Sequence, residues 1–321
     1  MTAPTNAKPR VALGCMTFGG QVDEATADRM LGLFWDAGHR DIDTAHIYGD
    51  GRAEEILGRL LTPARRERIV LATKAYPGAN GGDLAPDRLI AQLRLSLRRL
   101  QCDTVDIFYL HAPDVATPIE ATLDACARLY REGAYRELGL SNYPAWAVAD
   151  IQHLAPAIGA PAPSLYQGMY NAVTRDVERE LFPCLRRFGQ RFYAYNPLAG
   201  GLLSGRYRRI EDLPDAGRFH AFRFYRDRYW TQSYFDALNQ IRSACDAAGL
   251  PMADAALRWV LHHSAMTGSE SDAVILGAST MAHLEANLAA CAAGPLPAEV
   301  LAAMDAAWAV ARPACPKYFR P

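Results

Sequence analysis

Cys15-Met16-Thr17-Phe18-Gly19-Gly20-Gln21 follows the first short apolar run of a 321-residue chain, and what it lacks decides between two parallel architectures. A doubly wound dinucleotide-binding sheet carries Gly-x-Gly-x-x-Gly between its first strand and helix, where bare backbone must approach a pyrophosphate. This turn has no such fingerprint, and none appears elsewhere in the sequence. Outward from it, apolar strands alternate with helical segments. Strands are predicted over residues 11–16, 40–44, 69–74, 104–110, 137–141, 164–167, 191–195 and 273–276. Between them lie apolar stripes at helical spacing. Ala27, Met30, Leu31 and Phe34 precede Gly38; Ile119, Leu123, Ala127 and Tyr130 precede Gly133; Val177, Leu181, Leu185 and Phe188 precede Gly189. Each glycine suits the left-handed position just past a helix. Leu89, Leu93, Leu97 and Leu100 make a further stripe, whose other side carries Arg94, Arg98 and Arg99 as a solvated face. Eight strand-helix units within about 250 to 300 residues predict a (β/α)8 TIM barrel, with function at the C-terminal ends of its strands.

Bulk properties narrow the chemistry. Half the residues are hydrophobic, enough for a large core. A net charge of -1 gives no electrostatic support to a nucleic-acid or membrane-surface partner. No apolar run approaches a membrane span, and residues 1–10 lack the apolar stretch of a secretory signal. Seven scattered cysteines without a C-x-x-C pair argue against a disulfide framework or a zinc site, and a reducing cytoplasm is the natural compartment. No His-x-His or His-Glu-x-x-His pattern exists, so no metal is expected. One domain is predicted over 1–321, with 1–10 as a flexible tail. The interval between the seventh and eighth strands is far longer than the others. Residues 201–234 of it are rich in Arg, Tyr and Phe, and helical periodicity resumes over 236–248 and 252–262. This excursion reads either as a lid with anion-binding groups on the active face or as a surface loop whose aromatics pack on the barrel rim.

Three strand ends and one turn carry chemistry. Asp41-Ile42-Asp43 ends in a carboxylate, Tyr48 follows in a polar turn closed by Gly49, and the next two strands end in Lys74 and His111. A phenol with a pKa of about 10 needs roughly 2.7 kcal/mol to come down by about two units. An ammonium about 4 Å away supplies roughly 4 kcal/mol at an effective dielectric near 20. Burial would neutralise that lysine, so a carboxylate has to hold it cationic, and Asp43 on the neighbouring strand is the partner. His111 can hydrogen-bond a substrate oxygen beside the phenol. The set suits protonation of a carbonyl oxygen as hydride reaches its carbon from a nicotinamide. Singly, each residue has a plain explanation: a cap for Asp43, rim packing for Tyr48, a solvent charge for Lys74, a satisfied histidine for His111. Gly139-Leu140-Ser141-Asn142-Tyr143 fails the Gly-x-Ser-x-Gly nucleophile elbow.

Asp43-Thr44-Ala45 with Tyr48-Gly49, Thr73-Lys74, Tyr109-Leu110-His111, Gly139 to Tyr143, Tyr166-Gln167 and Tyr195-Asn196-Pro197-Leu198 together resemble the aldo-keto reductases, over about residues 11–320. Tyr166-Gln-Gly-Met-Tyr-Asn171, Leu181-Phe-Pro-Cys-Leu185, the run 196–205, Arg228-Tyr-Trp230 and the tail Cys315-Pro-Lys-Tyr-Phe-Arg320 resemble the aflatoxin aldehyde and succinic semialdehyde reductase branch. The resemblance implies a barrel that binds NADPH or NADP+ extended, with its C-terminal tail over the mouth. It makes Tyr48 the general acid, Lys74 and Asp43 its tuning partners, and His111 the orienting residue. Ser141, Asn142 and Gln167 would bind the nicotinamide carboxamide, with Tyr195 stacked on the ring. Asn196, Leu198, Gly200, Gly201 and Arg206 would wrap the pyrophosphate, and Gly277, Ser279, Thr280, His283 and Asn287 would hold the adenosine end. Many members carry a basic residue just after the eighth strand for the 2'-phosphate; here Gly277-Ala278-Ser279-Thr280 offers none, leaving Arg206 or Arg218 as substitutes. Tyr225, Arg228 and Arg320 match carboxylate-recognising positions, with Arg223 and Arg226 as alternatives. The implied substrates are small aldehydes, acidic, dicarbonyl or aromatic, such as succinic semialdehyde, and a homodimer is compatible with the branch. A cofactor-occupied regulatory subunit that binds a partner protein, as potassium-channel beta subunits do, and a metal-dependent barrel hydrolase are the alternatives from other classes.

Overall fold

Strand β1, Arg10–Gly14, pairs in parallel on one side with β2, Asp41–Asp43, and on the other with β8, Ala273–Gly277. The computed structural model describes residues 8–266 and 272–320. Between those strands follow β3 (Val70–Ala75), β4 (Val105–Leu110), β5 (Tyr135–Ser141), β6 (Leu165–Met169) and β7 (Arg191–Tyr195). Each pairs with its neighbours in sequence order, so that among the described residues eight parallel strands close into a barrel. Each predicted strand has its counterpart. The first ends two residues early, at Gly14, because Cys15 already opens the turn whose carbonyl accepts the Phe18 amide.

Alternation along the strands makes two cores. Ala12, Ala72, Ile107, Tyr109, Leu165, Tyr193, Ala273 and Ile275 fill the barrel interior. Leu13, Ile42, Leu71, Phe108, Leu140 and Val274 point outward into the layer covered by helices. The interior is crowded enough that Gly139 has to be glycine: a Cβ there would stand 2.4 Å from the Tyr109 ring.

Outside, helix Glu24–Asp36 starts where the Asp23 carboxylate accepts the Thr26 amide at 2.8 Å, and it buries Ala27, Met30, Leu31 and Phe34 as its spacing requires. Two expectations about helix faces are corrected. Tyr130 is 42% exposed, because the stripe of helix Ile119–Arg131 turns through Leu123, Ala127 and Leu129 instead. Arg99, on helix Pro86–Leu100, does not belong to a solvated face, since its side chain folds back against a buried Glu54.

At the N-terminus, residues 1–7 of the expected tail lie outside the described residues, and Arg10 is corrected from tail to strand. Its amide donates to the Asp272 carbonyl and its guanidinium pairs with Asp41 at 3.4 Å. The long excursion after β7 holds a loop, Ala199–Ser204, two short helices, Arg218–Ala221 and Arg223–Tyr229, and two long ones, Gln232–Ala247 and Met252–His262. Its aromatics build a small core of their own, Tyr207, Phe219 and Trp230 meeting edge to face or tilted at 5.0 to 5.4 Å. The C-terminal segment returns to the strand ends: Tyr318 accepts the Ala145 amide and donates to Glu180, both at 3.0 Å, and the Arg320 amide donates to the Asn142 carbonyl at 2.9 Å. Among the described residues no helix is long and apolar enough to cross a membrane.

Candidate active site

Parallel register brings the strand ends together. Lys74 stands opposite Tyr109 across β3 and β4, and Asp43 closes β2 beside them. The chain then turns through Tyr48–Gly51, with Gly49, Asp50 and Gly51 all left-handed, and the Tyr48 hydroxyl lies within hydrogen-bond distance of Lys74. The Lys74 ammonium, fully buried, donates to Asp43 Oδ1 at 2.6 Å, to the Thr44 carbonyl at 2.7 Å and to the Tyr48 hydroxyl at 3.4 Å. His111 meets the Tyr48 ring edge to face at 6.1 Å, and on its other side meets Tyr76 at 5.9 Å. Its Nδ1 is buried without a hydrogen-bond partner.

The electrostatics follow from burial and this geometry. Burial alone would lower the Lys74 pKa, but Asp43 and the Tyr48 hydroxyl outweigh it and the ammonium is held charged above its ordinary value. Tyr48 goes against expectation. Burial raises its pKa above that of a free phenol; the opposing pull of Lys74 is the smaller effect, and the negative charge of Asp43 adds to the rise. The phenol therefore keeps its proton at neutral pH. Burial, then the Lys74 and Arg320 charges, hold His111 well below the usual imidazole value, so it is neutral. A protonated phenol, a fixed cation behind it and a neutral imidazole beside it form a site able to give a proton to a small oxygen atom and stabilise the phenolate left behind.

The remaining sequence-predicted residues surround this centre. Asn142, in left-handed conformation just past β5, donates to the His111 carbonyl at 2.8 Å and to Ser141 Oγ at 2.9 Å, and accepts the Tyr195 hydroxyl at 2.8 Å. Gln167, midway along β6, donates to Asp43 Oδ2 at 2.7 Å, so both oxygens of that carboxylate are committed. Asn196 is left-handed too; its Oδ1 accepts the Tyr225 hydroxyl at 3.3 Å, and its side chain also interacts with Tyr229. His111 Nδ1 is thus an unpaired polar atom in the mouth, as a pocket for a polar ligand would leave. Past Asn196, the Leu198 carbonyl accepts the Gly201 and Leu203 amides. Gly201 faces open space, whereas the Tyr225 ring occupies the place of a Gly200 Cβ, which would lie 2.7 Å from it. Arg206 is exposed beside Tyr207, and Arg218 lies over the Tyr225 ring at 5.1 Å.

After β8, Thr280 caps helix Met281–Ala292 by accepting the His283 amide at 3.2 Å. Ser279 Oγ meets His283 Nδ1 at 3.2 Å, and buried Asn287 donates to the Gly277 carbonyl at 3.3 Å, giving a polar cluster at a helix N-terminus that suits an anion. Arg228 and Arg320 both act on Tyr195, and Arg320 also acts on His111, while Tyr225 faces Tyr48. Arg320 and Tyr225 are thus near enough to influence His111 and Tyr48, whereas Arg228 reaches Tyr195, outside the tetrad. Arg223 does not; it is exposed and pairs with Asp227 at 3.7 Å.

Sequence reasoning missed Tyr76, held by Gln92, which accepts its amide and donates to its carbonyl at 3.0 Å. Its place two residues after Lys74, on the same side of the chain, was the available signal.

The model of the aldo/keto reductase family matches residues 10–309. Human aldo-keto reductase family 7 member A3 is 48% identical, over 98% of this chain and 98% of its own length. Human aflatoxin B1 aldehyde reductase member 2 is 49% identical over 97% of this chain and 90% of its own length, and human member 4 is 47% identical over 98% of both.

Proposed function

The chain belongs to the aldo/keto reductase family and is an NAD(P)H-dependent oxidoreductase; from that premise we propose that it reduces aldehydes to alcohols with NADPH, Tyr48 being the general acid. The observation that carries the reading is the Lys74 ammonium lying between Asp43 and the Tyr48 hydroxyl, with neutral His111 against the same ring. When bound, the reduced nicotinamide supplies the hydride. The chain's own residues do the rest. Tyr48 gives its proton to the substrate carbonyl oxygen, and Lys74 stabilises the phenolate so formed. Asp43 keeps Lys74 charged and in place, and His111 donates a hydrogen bond that orients the carbonyl.

Ser141, Asn142, Gln167 and Tyr195 would hold the nicotinamide end. Asn196, Leu198, Gly200, Gly201 and Arg206 would hold the pyrophosphate, and Gly277, Ser279, Thr280, His283 and Asn287 the adenosine end. Preference for NADPH would come from Arg206 or Arg218. Tyr225, Arg228 and Arg320 would bind a carboxylate or second carbonyl on the aldehyde, and their convergence on Tyr195 and His111 supports a small acidic or dicarbonyl substrate, succinic semialdehyde among them. Seven cysteines, all free, support residence in the cytoplasm. A panel of acidic, dicarbonyl and aromatic aldehydes, run with NADPH and NADH in parallel on wild type and Tyr48→Phe, tests the reading. Turnover persisting in the variant removes Tyr48 from the acid role, and equal rates with NADH remove the cofactor preference.

A further inference from the structure

We propose that the pair of buried Glu54 and half-buried Arg99, outside the barrel wall, is a positioning device that fixes where Tyr48 stands relative to Lys74; this rests on the reading of Tyr48 as the acid. Glu54 lies on helix Arg52–Leu60 with its side chain fully buried. One carboxylate oxygen accepts the Thr73 hydroxyl at 2.6 Å, and the other pairs with Arg99 Nη1 at 3.3 Å. Thr73 immediately precedes Lys74 and, by strand alternation, projects from the opposite face of β3. The carboxylate is therefore tied to the strand that presents the ammonium.

Arg99 reaches the segment that presents the phenol. Its Nη1 also donates to the His46 carbonyl at 3.1 Å, two residues before Tyr48. Its guanidinium fills the space over Gly51, three residues after Tyr48, where a Cβ would stand 2.2 Å from Arg99 Cζ. The His46 amide in turn donates to the Lys74 carbonyl at 3.1 Å. One ion pair thus touches both flanks of Tyr48 and the neighbour of Lys74, and neither charge has a part in the proton transfer itself. Helix Pro86–Leu100 can bring Arg99 so close only because Gly58 has no side chain, a Cβ there lying 2.1 Å from the Arg99 carbonyl oxygen. A 3.4 Å separation between phenol and ammonium is sensitive to small shifts of the turn, and misplacement by about 1 Å at a reacting group costs on the order of 10²-fold in rate.

The test compares Arg99→Met with the double variant Glu54→Gln/Arg99→Met. The double variant leaves no orphaned buried charge, and so keeps the fold while losing the contacts to His46 and Gly51. Both are expected to lower kcat for aldehyde reduction roughly 10- to 100-fold while the Kd for NADPH stays within about twofold. Introduced on top of Lys74→Met, the same changes should cost less than about twofold, because the relationship they maintain is already gone. A kcat near wild type in the folded double variant, or an undiminished effect in the Lys74→Met background, overturns the proposal. If Tyr48→Phe is inactive while the Arg99 variants turn over normally, the positioning role alone falls; if Tyr48→Phe is active, the acid assignment falls with it.

Discussion

The Tyr48 hydroxyl lies 3.4 Å from the Lys74 ammonium, and the same ammonium stands 4.9 Å from the centre of the Tyr48 ring. Because burial outweighs that cation, the phenol is protonated at rest and the cation acts when the proton leaves. Tyr48→Phe is expected to lower kcat by about 10² to 10⁴-fold while the Kd for NADPH, read by quenching of protein fluorescence, stays close to wild type. Lys74→Met should lower kcat as well, with Tyr48 still present.

Burial lowers the pKa of four histidines, His39, His46, His111 and His263, and two of them lie beside the site. Burial, then the Arg99 charge, lowers His46 to about 4, and burial, then Lys74 and Arg320, lowers His111 well below its ordinary value. Both are neutral in the folded chain and charged in the unfolded chain below about pH 6.5. With folded pKa values depressed, their contribution is fully present above about pH 6.5 and is lost as pH falls toward the folded values. The Tm should hold steady from pH 8 to 7 and fall from about 6.5 downward, less steeply in His111→Gln. Since His111 does not titrate near neutrality, kcat/KM should show no inflection at its ordinary pKa.

Arg228 is half-buried and Arg320 exposed, which sets the size of their effects. Arg228→Met should raise the KM for succinic semialdehyde about tenfold, as loss of a charge-assisted hydrogen bond would. Arg320→Met should raise it by only about two- to fivefold, since water screens an exposed ion pair. Neither should move the KM for uncharged 4-nitrobenzaldehyde. If that KM rises equally, the arginines shape the mouth and do not recognise a carboxylate.

Gly139→Ala would place a methyl 2.4 Å from the Tyr109 ring inside the barrel, and Gly58→Ala one 2.1 Å from a backbone oxygen. Neither neighbour can move aside without shifting a strand or a helix. Each substitution is expected to cost at least about 1 to 3 kcal/mol in urea denaturation.

The barrel was legible because its evidence is local. Strand alternation, helical stripes and the missing glycine fingerprint of residues 15–21 all lie within a few residues of one another, and once the barrel was granted, Asp43, Lys74 and His111 had to face one end. What escaped depended on contacts between distant segments. Arg99 read as a surface charge because only the approach of two helices across Gly58 reveals Glu54, 45 residues earlier, as its partner. The direction of the Tyr48 shift escaped for a similar reason, since how deeply the phenol is buried, and how near the Asp43 charge lies to it, are set by the packing of distant segments. Spacing likewise could not show that the Gln167 amide is committed to the second oxygen of Asp43.

The ring of Tyr225 sits where any side chain on residue 200 would go, and its hydroxyl reaches Asn196. Transplanting residues 218–229 from a relative, to exchange one range of aldehydes for another, would therefore fail wherever the recipient carries anything larger than hydrogen at that site. The two stretches have to be inherited or exchanged as one module, though 17 residues separate Gly200 from Arg218 in the chain.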